Sequence, residues 1–318
     1  MRAYLIRRLI AIIPTLFIAV LIIFCMMRFI PGSVIDLILI NADVGEVEVT
    51  RQSIEAALGF DKPVYIQFFI WLKEVVIHGN LGESLWSGDA VTDLILNKIP
   101  ISLELNIIGL IFGIFIAIPI GIYSAIRQDT FLDYLGRSTA IIGMSIPNFW
   151  LATVIIVFPA IWWGYSPSID LPLLTEEPWQ NIKTFIVPAF VQGAVLAGFV
   201  MRFVRTMMLE TLRQDYIRTA WAKGMKERVV VIRHALRNAL VPFVTILGMM
   251  IPRMIGGSIV VETIFVLPGM GLLLYNSVLQ RDYPVVSGVM LIMAVFVLLS
   301  NLLVDISYGY LDPRVRYR

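Results

Sequence analysis

The chain has 318 residues, of which 58% are hydrophobic and only 15% are charged. Its mean hydropathy is +0.85. These values exclude an ordinary soluble domain, in which roughly 45–50% of residues are apolar and about 25% are charged. The formal net charge of +2 indicates no particular partner, and the single cysteine, Cys25, excludes an intrachain disulfide. The composition therefore predicts an integral membrane protein.

Six long apolar runs predict an all-α polytopic membrane protein with six transmembrane helices in one domain, residues 1–318. A helix of about 20 residues, rising 1.5 Å per residue, crosses a hydrocarbon core of roughly 30 Å. The runs lack the alternation of barrel strands, so helices are favoured over a β-barrel. The first run is too long for a signal-peptide core, so it is predicted to be retained. The predicted spans are 9–30, 101–126, 138–163, 184–204, 238–262 and 283–305.

The charged residues outside these spans are distributed unequally. Basic residues dominate the N-terminus, the segment between the fourth and fifth spans, and the C-terminal tail. The loops 31–100 and 164–183 are acid-rich. Because Lys- and Arg-rich segments stay on the cytoplasmic side, both termini and the basic segment are predicted to be cytoplasmic.

The long loop 31–100, predicted to be extracytoplasmic, is too large to be a simple connector. It contains a predicted amphipathic helix near Tyr65–Ile77. Two compatible interpretations stay open: a small cap packed on the helical bundle, and a docking surface for an extracytoplasmic partner.

The sequence contains no recognisable catalytic or metal-binding motif. It has no G-x-x-x-x-G-K-[ST] phosphate loop, no H-E-x-x-H motif and no G-x-S-x-G elbow. Its two histidines, His78 and His234, are predicted on opposite sides of the membrane, so they cannot share a metal. We therefore predict a non-catalytic chain with no metal site, no cofactor of its own and no nucleic-acid partner.

The basic cytoplasmic segment 209–237 contains a short amphipathic pattern. Ile217, Trp221 and Met225 recur at helical spacing. Gly224 is suited to end such a helix, because glycine adopts the left-handed conformation at little cost. From the residues alone, two interpretations remain open: a docking surface for another protein, and an interfacial helix lying on anionic lipid.

Two stretches of this segment carry a family resemblance. YIRTAWAKG, ending at Gly224, and RHALRNALVP, ending at Pro242, resemble the coupling-loop motif of permeases of binding-protein-dependent ABC importers, dipeptide/oligopeptide/nickel branch. The general motif reads Glu-Ala-Ala, three residues, then Gly, whereas this chain begins Arg218, Thr219 and Ala220. The stretches that share the resemblance elsewhere are Leu58–Gln67, Gly79–Ser84, Val261–Phe265, Leu267–Gly271, Arg281–Val286 and Asp312–Arg316.

The resemblance implies a type I ABC importer permease in the cytoplasmic (inner) membrane of a bacterium or archaeon. Such a chain forms the pathway with a second homologous permease and receives substrate from an extracytoplasmic solute-binding protein. Two ABC ATPase subunits drive it, and they bind ATP and magnesium. Their docking helix is implied to comprise Arg218, Thr219, Ala220, Trp221, Ala222, Lys223 and Gly224.

The resemblance implies di- or oligopeptide substrates, with nickel chelates or other small solutes as the alternative. An alternative of a different class is an ATP-independent secondary transporter or channel. A secondary transporter should couple through carboxylates within its spans, and Glu104, near the start of the second span, is the main candidate.

Three residues within the predicted spans are candidates for the transport pathway. Arg253 is costly in a bilayer, so it should face protein or water. It either lines the pathway and meets a peptide carboxylate or forms an ion pair or helix-end cap within the bundle. Glu262 has the same two interpretations, nearer the outer surface. Asn148 follows Pro147 in the third span, which indicates a bend beside the pathway or a packing irregularity.

Overall fold

The computed structural model describes residues 2–29, 61–164, 171 and 174–311. Within these ranges the chain is helical and has no β-strand, which confirms the all-α prediction. The helices are α1 (Arg2–Phe29), α2 (Val64–Lys73), α3 (Val91–Ile126), α4 (Phe131–Ser145), α5 (Asn148–Trp163), α6 (Pro178–Leu212), α7 (Asp215–Ala222), α8 (Arg237–Phe265), α9 (Met270–Gln280) and α10 (Tyr283–Leu311). The π-helical turn Glu74–His78 continues α2, and Glu227–Val229 followed by the π segment Val230–Leu236 leads into α8.

Four helices in the described part of the chain are long and apolar enough to cross a membrane. They are Ile6–Met26 within α1, α3, α6, and Tyr283–Ile306 within α10. Two bent pairs, α4 with α5 and Ser258–Phe265 with α9, raise the number to six if each pair forms one span. The polytopic membrane fold expected from composition is thus confirmed.

The third predicted span, 138–163, consists of two helices. Helix α4 ends at Ser145, and α5 begins at Asn148 with an angle of 97° between them. Ile146 has an extended backbone, with φ −80° and ψ 122°. The ring of Pro147 disfavours helical geometry at the preceding residue, which explains why the helix breaks there.

Of two other predicted helices, one begins earlier in the structure than predicted and one is present where it was predicted. Helix α3 starts at Val91, well before the predicted span 101–126, and passes through Pro100 without ending. The amphipathic helix predicted near Tyr65–Ile77 is present as α2 and its π-helical turn. The part of the 31–100 loop before residue 61 lies outside the described residues.

The chain divides into two compact units. The first contains residues 1–5, 100–272 and 299–318, and the second contains residues 6–99 and 273–298. In the first unit, α6 packs against α4, α5 and α8.

Glycines allow close approach of α3 and α6 within the first unit. A Cβ atom added to Gly193 would lie 2.6 Å from the carbonyl oxygen of Gly109, and one added to Gly113 would lie 3.0 Å from the carbonyl oxygen of Gly193. The two backbones are therefore in direct contact, as is common where membrane helices associate through small residues. We call Gly109, Gly113 and Gly193 the glycine seam.

The second unit brings together two of the stretches that carry the family resemblance. The carboxylate of Asp282 accepts hydrogen bonds from the Ser84 hydroxyl at 2.6 Å and from the Leu85 N–H at 3.3 Å. The indole N–H of Trp86 donates to the carbonyl of Gln280 at 2.9 Å. The segments around residues 79–84 and 281–286 thus stabilise each other in this unit.

Candidate functional site

The short helix α7 coincides with the amphipathic pattern predicted from the sequence. Ile217 and Ala220 are buried, and Met225, beyond the end of the helix, is partly buried against the same apolar core. Trp221, assigned by its spacing to the apolar stripe, is 45% exposed. The buried face is thus narrower than the pattern indicated, and a large aromatic ring remains accessible at its edge.

The end of α7 is closed by a Schellman turn. Gly224 has φ +71°, so the predicted left-handed glycine is present. Its N–H donates to the carbonyl of Trp221 at 2.9 Å, and the N–H of Met225 donates to the carbonyl of Ala220 at 3.4 Å. These two bonds satisfy carbonyls that a frayed helix end would leave unpaired, so the turn has a defined geometry.

Helix α7 packs against the π segment Val230–Leu236. Val230 is fully buried and belongs to the same apolar core as Ile217 and Met208 of α6. The side-chain amide of Asn238, at the start of α8, donates to the hydroxyl of Tyr216 at 2.9 Å. The helix is thus fixed to two longer helices by apolar packing and one side-chain hydrogen bond.

The outer face of α7 is polar and basic. Of the residues predicted for the docking helix, Ala220 is buried, and those exposed are Arg218, Thr219, Trp221, Ala222, Lys223 and Gly224. Lys223 and Gly224 lie in the turn after the helix. The guanidinium of Arg218 lies 3.5 Å from the carboxylate of Asp215, with both side chains largely exposed. This face is therefore open to a partner.

Two ion pairs in the first unit had no signal in the sequence. The guanidinium of Arg205 in α6 pairs with the carboxylate of Asp133 in the first turn of α4, whose side chain is fully buried. Arg127, which follows α3, lies 3.5 Å from Glu227, just beyond the turn that ends α7. The partners are far apart in sequence, so periodicity and motif spacing could not pair them.

Among the pathway candidates, Glu262 is fully buried and its carboxylate organises a turn. One carboxylate oxygen accepts from the Ser102 hydroxyl at 2.7 Å. The other accepts from the N–H groups of Gly271 at 2.7 Å and Leu272 at 3.2 Å. Glu262 therefore caps the N-terminus of α9, where a carboxylate also interacts favourably with the helix dipole.

Val266, at the end of α8, has an unusual backbone. It has φ +53°, and its side chain is 71% exposed. A β-branched residue in the left-handed region is rare because its side chain crowds the backbone there. The side chain of the third pathway candidate, Arg253, lies outside the described residues, although its backbone belongs to α8.

Asn148 lines a cavity of about 260 Å³ within the first unit. Three methionines and Gln192 of α6 also line it. Gln192 is only 4% exposed. Sequence reasoning missed Gln192 because a neutral amide does not interrupt an uncharged apolar run. The methionines that line the cavity are Met144, Met250 and Met254.

Two protein-family models match this chain, one over its N-terminal part and one over most of the remainder. Residues 117–317 match the family described as binding-protein-dependent transport system inner membrane component, and residues 1–106 match the N-terminal part of such membrane components. The chain belongs to this family. The resemblance drawn from the coupling-loop motif is confirmed, and this permease is a multi-pass membrane protein.

Curated relatives align with this permease over its whole length. It is 39% identical to the oligopeptide transport system permease protein AppB of Bacillus subtilis, with all of both chains covered. It is 35% identical to the dipeptide transport system permease protein DppB of Alkalihalophilus pseudofirmus, again with complete coverage of both chains. It is 34% identical to the protein of the same name from Bacillus subtilis, with 99% and 98% covered.

Two solved structures share the fold of this permease. One is the methionine ABC transporter MetNI in inward-facing conformations, at 20% identity and a TM-score of 0.57, covering 70% of this permease and 97% of that chain. The other is an amino acid ABC transporter crystallised with histidines, at 14% identity and a TM-score of 0.55, covering 69% and 94%. The predicted type I ABC importer permease architecture is thus confirmed.

Proposed function

We propose that this permease imports di- or oligopeptides and that partner ATPases drive it through α7. The relatives named for dipeptide and oligopeptide transport support the substrate class. In the proposed complex, the permease pairs with a second homologous permease, two ABC ATPase subunits bind below, and an extracytoplasmic solute-binding protein delivers the peptide. ATP and magnesium bind to the ATPase subunits, and this chain neither catalyses a reaction nor holds a cofactor.

The observation that carries the docking role is the construction of α7. A helix that transmits motion must resist bending, because a flexible segment would absorb the displacement of the ATPase subunit. Helix α7 meets this requirement through its buried face, its Schellman turn at Gly224 and its contact with the π segment Val230–Leu236. The exposed Trp221 ring and the basic side chains provide the surface that an ATPase groove would contact.

The membrane orientation follows from the same proposal. The basic residues around α7 and at both termini face the cytoplasm, in agreement with the positive-inside rule. Trp86, Gln280 and Asp282 then lie toward the extracytoplasmic side, where the solute-binding protein docks. Helix α7 is therefore on the side of the membrane where ATP is available.

The three pathway candidates take different parts in this proposal. Asn148 lines the pathway beside the bend between α4 and α5. Glu262 acts as the cap that fixes the turn between α8 and α9, since its carboxylate accepts hydrogen bonds from Ser102, Gly271 and Leu272. For Arg253 the proposal keeps the pathway role expected from the sequence, and the transport of acidic and neutral peptides by Arg253→Gln would test it.

The test of the docking role is Gly224→Asp in the complete complex, assayed by uptake of radiolabelled dialanine and by co-purification of the ATPase subunits. Aspartate tolerates φ +71° better than most residues, and no atom lies within 4 Å of the added Cβ, so the main effect is a carboxylate placed on the basic face that the ATPase would contact. We expect normal membrane insertion but loss of uptake and of ATPase co-purification.

A matched control is Gly164→Asp, since Gly164 also has a left-handed backbone, φ +64°, and open space around the added Cβ. It ends α5 in a loop that the proposal places outside the cytoplasm, so uptake should persist. Normal uptake by Gly224→Asp would contradict the docking role.

Gradient-driven accumulation by the purified chain alone would instead favour an ATP-independent transporter. Uptake of a nickel chelate in place of dialanine would change the substrate class.

A further inference from the structure

The cavity beside Asn148 combines flexible apolar walls with a small number of amide groups. Its methionines, Met144, Met250 and Met254, come from two different helices, α4 and α8. Methionine side chains have three rotatable bonds and a polarisable sulfur, so they adapt to ligands of different shape. No lining residue in the described part of the chain is charged, so a ligand there would be recognised through hydrogen bonds.

A chain of side-chain amides fixes the orientation of Gln192. The Nδ2 group of Asn106 donates to the carbonyl of Ser102 at 2.7 Å, so its Oδ1 atom must face the other way. The Nε2 group of Gln192 donates to that Oδ1 atom at 3.1 Å and to the carbonyl of Met254 at 2.9 Å. Rotating either amide by 180° would place two acceptor oxygens against each other, so the observed orientation is the one that satisfies the network.

This network uses both N–H groups of Gln192 and leaves its oxygen without a donor. Among the described side chains, neither the Oε1 atom of Gln192 nor the Oδ1 atom of Asn148 has a hydrogen-bond partner, and both atoms are buried. Buried acceptors without donors are uncommon, because they lose hydration without gaining a replacement. Both residues line the same cavity, and their two unpaired oxygens are enclosed in its wall, so a ligand that carries N–H donors would reach them once the adaptable methionine side chains move aside.

We infer that this cavity holds the peptide during transport, with the Asn148 and Gln192 oxygens accepting from its N-terminal ammonium or backbone N–H groups. This inference rests on the proposed peptide transport. Every peptide carries such donors whatever its side chains, whereas the methionine walls adapt to those side chains. A volume of about 260 Å³ is slightly below the roughly 300 Å³ at which ligand pockets usually begin, so it accommodates a short segment of peptide.

The test measures dialanine imported per ATP hydrolysed in proteoliposomes containing the complete complex and saturating peptide-loaded solute-binding protein. Asn148→Leu removes one acceptor, and Gln192→Met removes the other while keeping a long, unbranched side chain. Each should lower the import ratio by up to about tenfold, the effect of one lost hydrogen bond. Asn148→Asp keeps the acceptor oxygens and should restore most of the import.

The control is Asn301→Leu, which replaces an asparagine by leucine, as Asn148→Leu does, at an exposed position of α10 in the first unit. This variant should leave the import ratio unchanged. An unchanged ratio in Asn148→Leu and Gln192→Met would overturn the inference, as would an Asn148→Asp variant as defective as Asn148→Leu. If the unmodified complex co-purifies with its ATPase subunits but imports no dialanine, the proposed peptide transport itself fails, and this inference fails with it.

Discussion

The guanidinium of Arg205 binds both carboxylate oxygens of Asp133, with the Nε–Oδ1 and Nη2–Oδ2 distances each 2.8 Å. The Asp133 side chain is fully buried, and that of Arg205 is 15% exposed. Asp133 also accepts from the N–H of Asp129, so it fixes the turn before α4 as well as its contact with α6. This pair thus connects the start of α4 to the helix that leads directly into α7.

Arg205→Gln would leave the Asp133 carboxylate buried without its charge partner. Breaking a buried ion pair in this way usually lowers the free energy of unfolding by about 3–5 kcal/mol. We expect a clearly lower thermal unfolding midpoint in detergent, measured by fluorescence-detected size-exclusion chromatography after heating. Arg218→Gln is the control, because the Arg218–Asp215 pair is 76% and 96% exposed and solvent screens it. Equal midpoints for the two variants would show that the buried pair does not stabilise the fold.

A second prediction separates the backbone requirement at Gly224 from the space around it. Gly224→Ala adds a single methyl group in open space, so its cost is the left-handed backbone, roughly 1–2 kcal/mol for an L-residue. Asparagine adopts this conformation more readily. We therefore expect peptide uptake to fall more in Gly224→Ala than in Gly224→Asn. The opposite ranking would indicate that residue size at this position, and not the Schellman turn, limits transport.

The sequence predicts local features of this permease well. Apolar runs locate the helices because a bilayer requires about 20 consecutive apolar residues, and Pro147 indicates the break between α4 and α5. Gly224 is identified as a helix end by a backbone conformation that few other residues tolerate. These features depend on neighbouring residues, so they can be read from a short stretch of sequence.

Contacts between distant segments could not be predicted in the same way. Glu262 meets Ser102 from a different helix, and their pairing has no periodic signal. Gln192 lies in a run that is otherwise apolar, so its cavity becomes visible only when α4, α6 and α8 are assembled. Pro100 is compatible with a helix in this fold, although proline usually indicates a helix boundary.

A third prediction concerns the cap between α8 and α9. Glu262→Gln replaces two acceptor oxygens with one, so the Ser102 hydroxyl or the N–H groups of Gly271 and Leu272 lose their acceptor. An unpaired buried donor costs about 1–3 kcal/mol, and the unfolding midpoint should fall accordingly. The control is Thr263→Val, because the Thr263 hydroxyl donates to the carbonyl of Ile259 in its own helix, at 2.8 Å. A midpoint for Glu262→Gln as high as that of the control would exclude the capping role.

A fourth prediction tests the glycine seam. Replacing a helical glycine with alanine normally stabilises a helix by roughly 0.5–1 kcal/mol. At Gly193 the added Cβ would lie 2.6 Å from the Gly109 carbonyl oxygen, and a backbone atom cannot move aside cheaply. We therefore expect Gly193→Ala to lower the unfolding midpoint, with an overpacking cost of about 1–3 kcal/mol.

Gly143→Ala is the matched control for the seam, since its Cβ would lie at an ordinary distance of 3.4 Å from the Ala194 carbonyl oxygen. Its midpoint should stay level or rise. If Gly193→Ala behaves in the same way, α3 and α6 are not in direct backbone contact.

The left-handed backbone of Val266 also bears on how this permease can be prepared for experiments. Its exposed side chain contributes little burial within the described part of the chain, yet its β-branch strains the turn. Val266→Asn should therefore raise the thermal unfolding midpoint without disturbing the Glu262 cap. Membrane proteins are often lost during detergent extraction, so a single exchange at this position offers a direct means to a longer-lived purified sample.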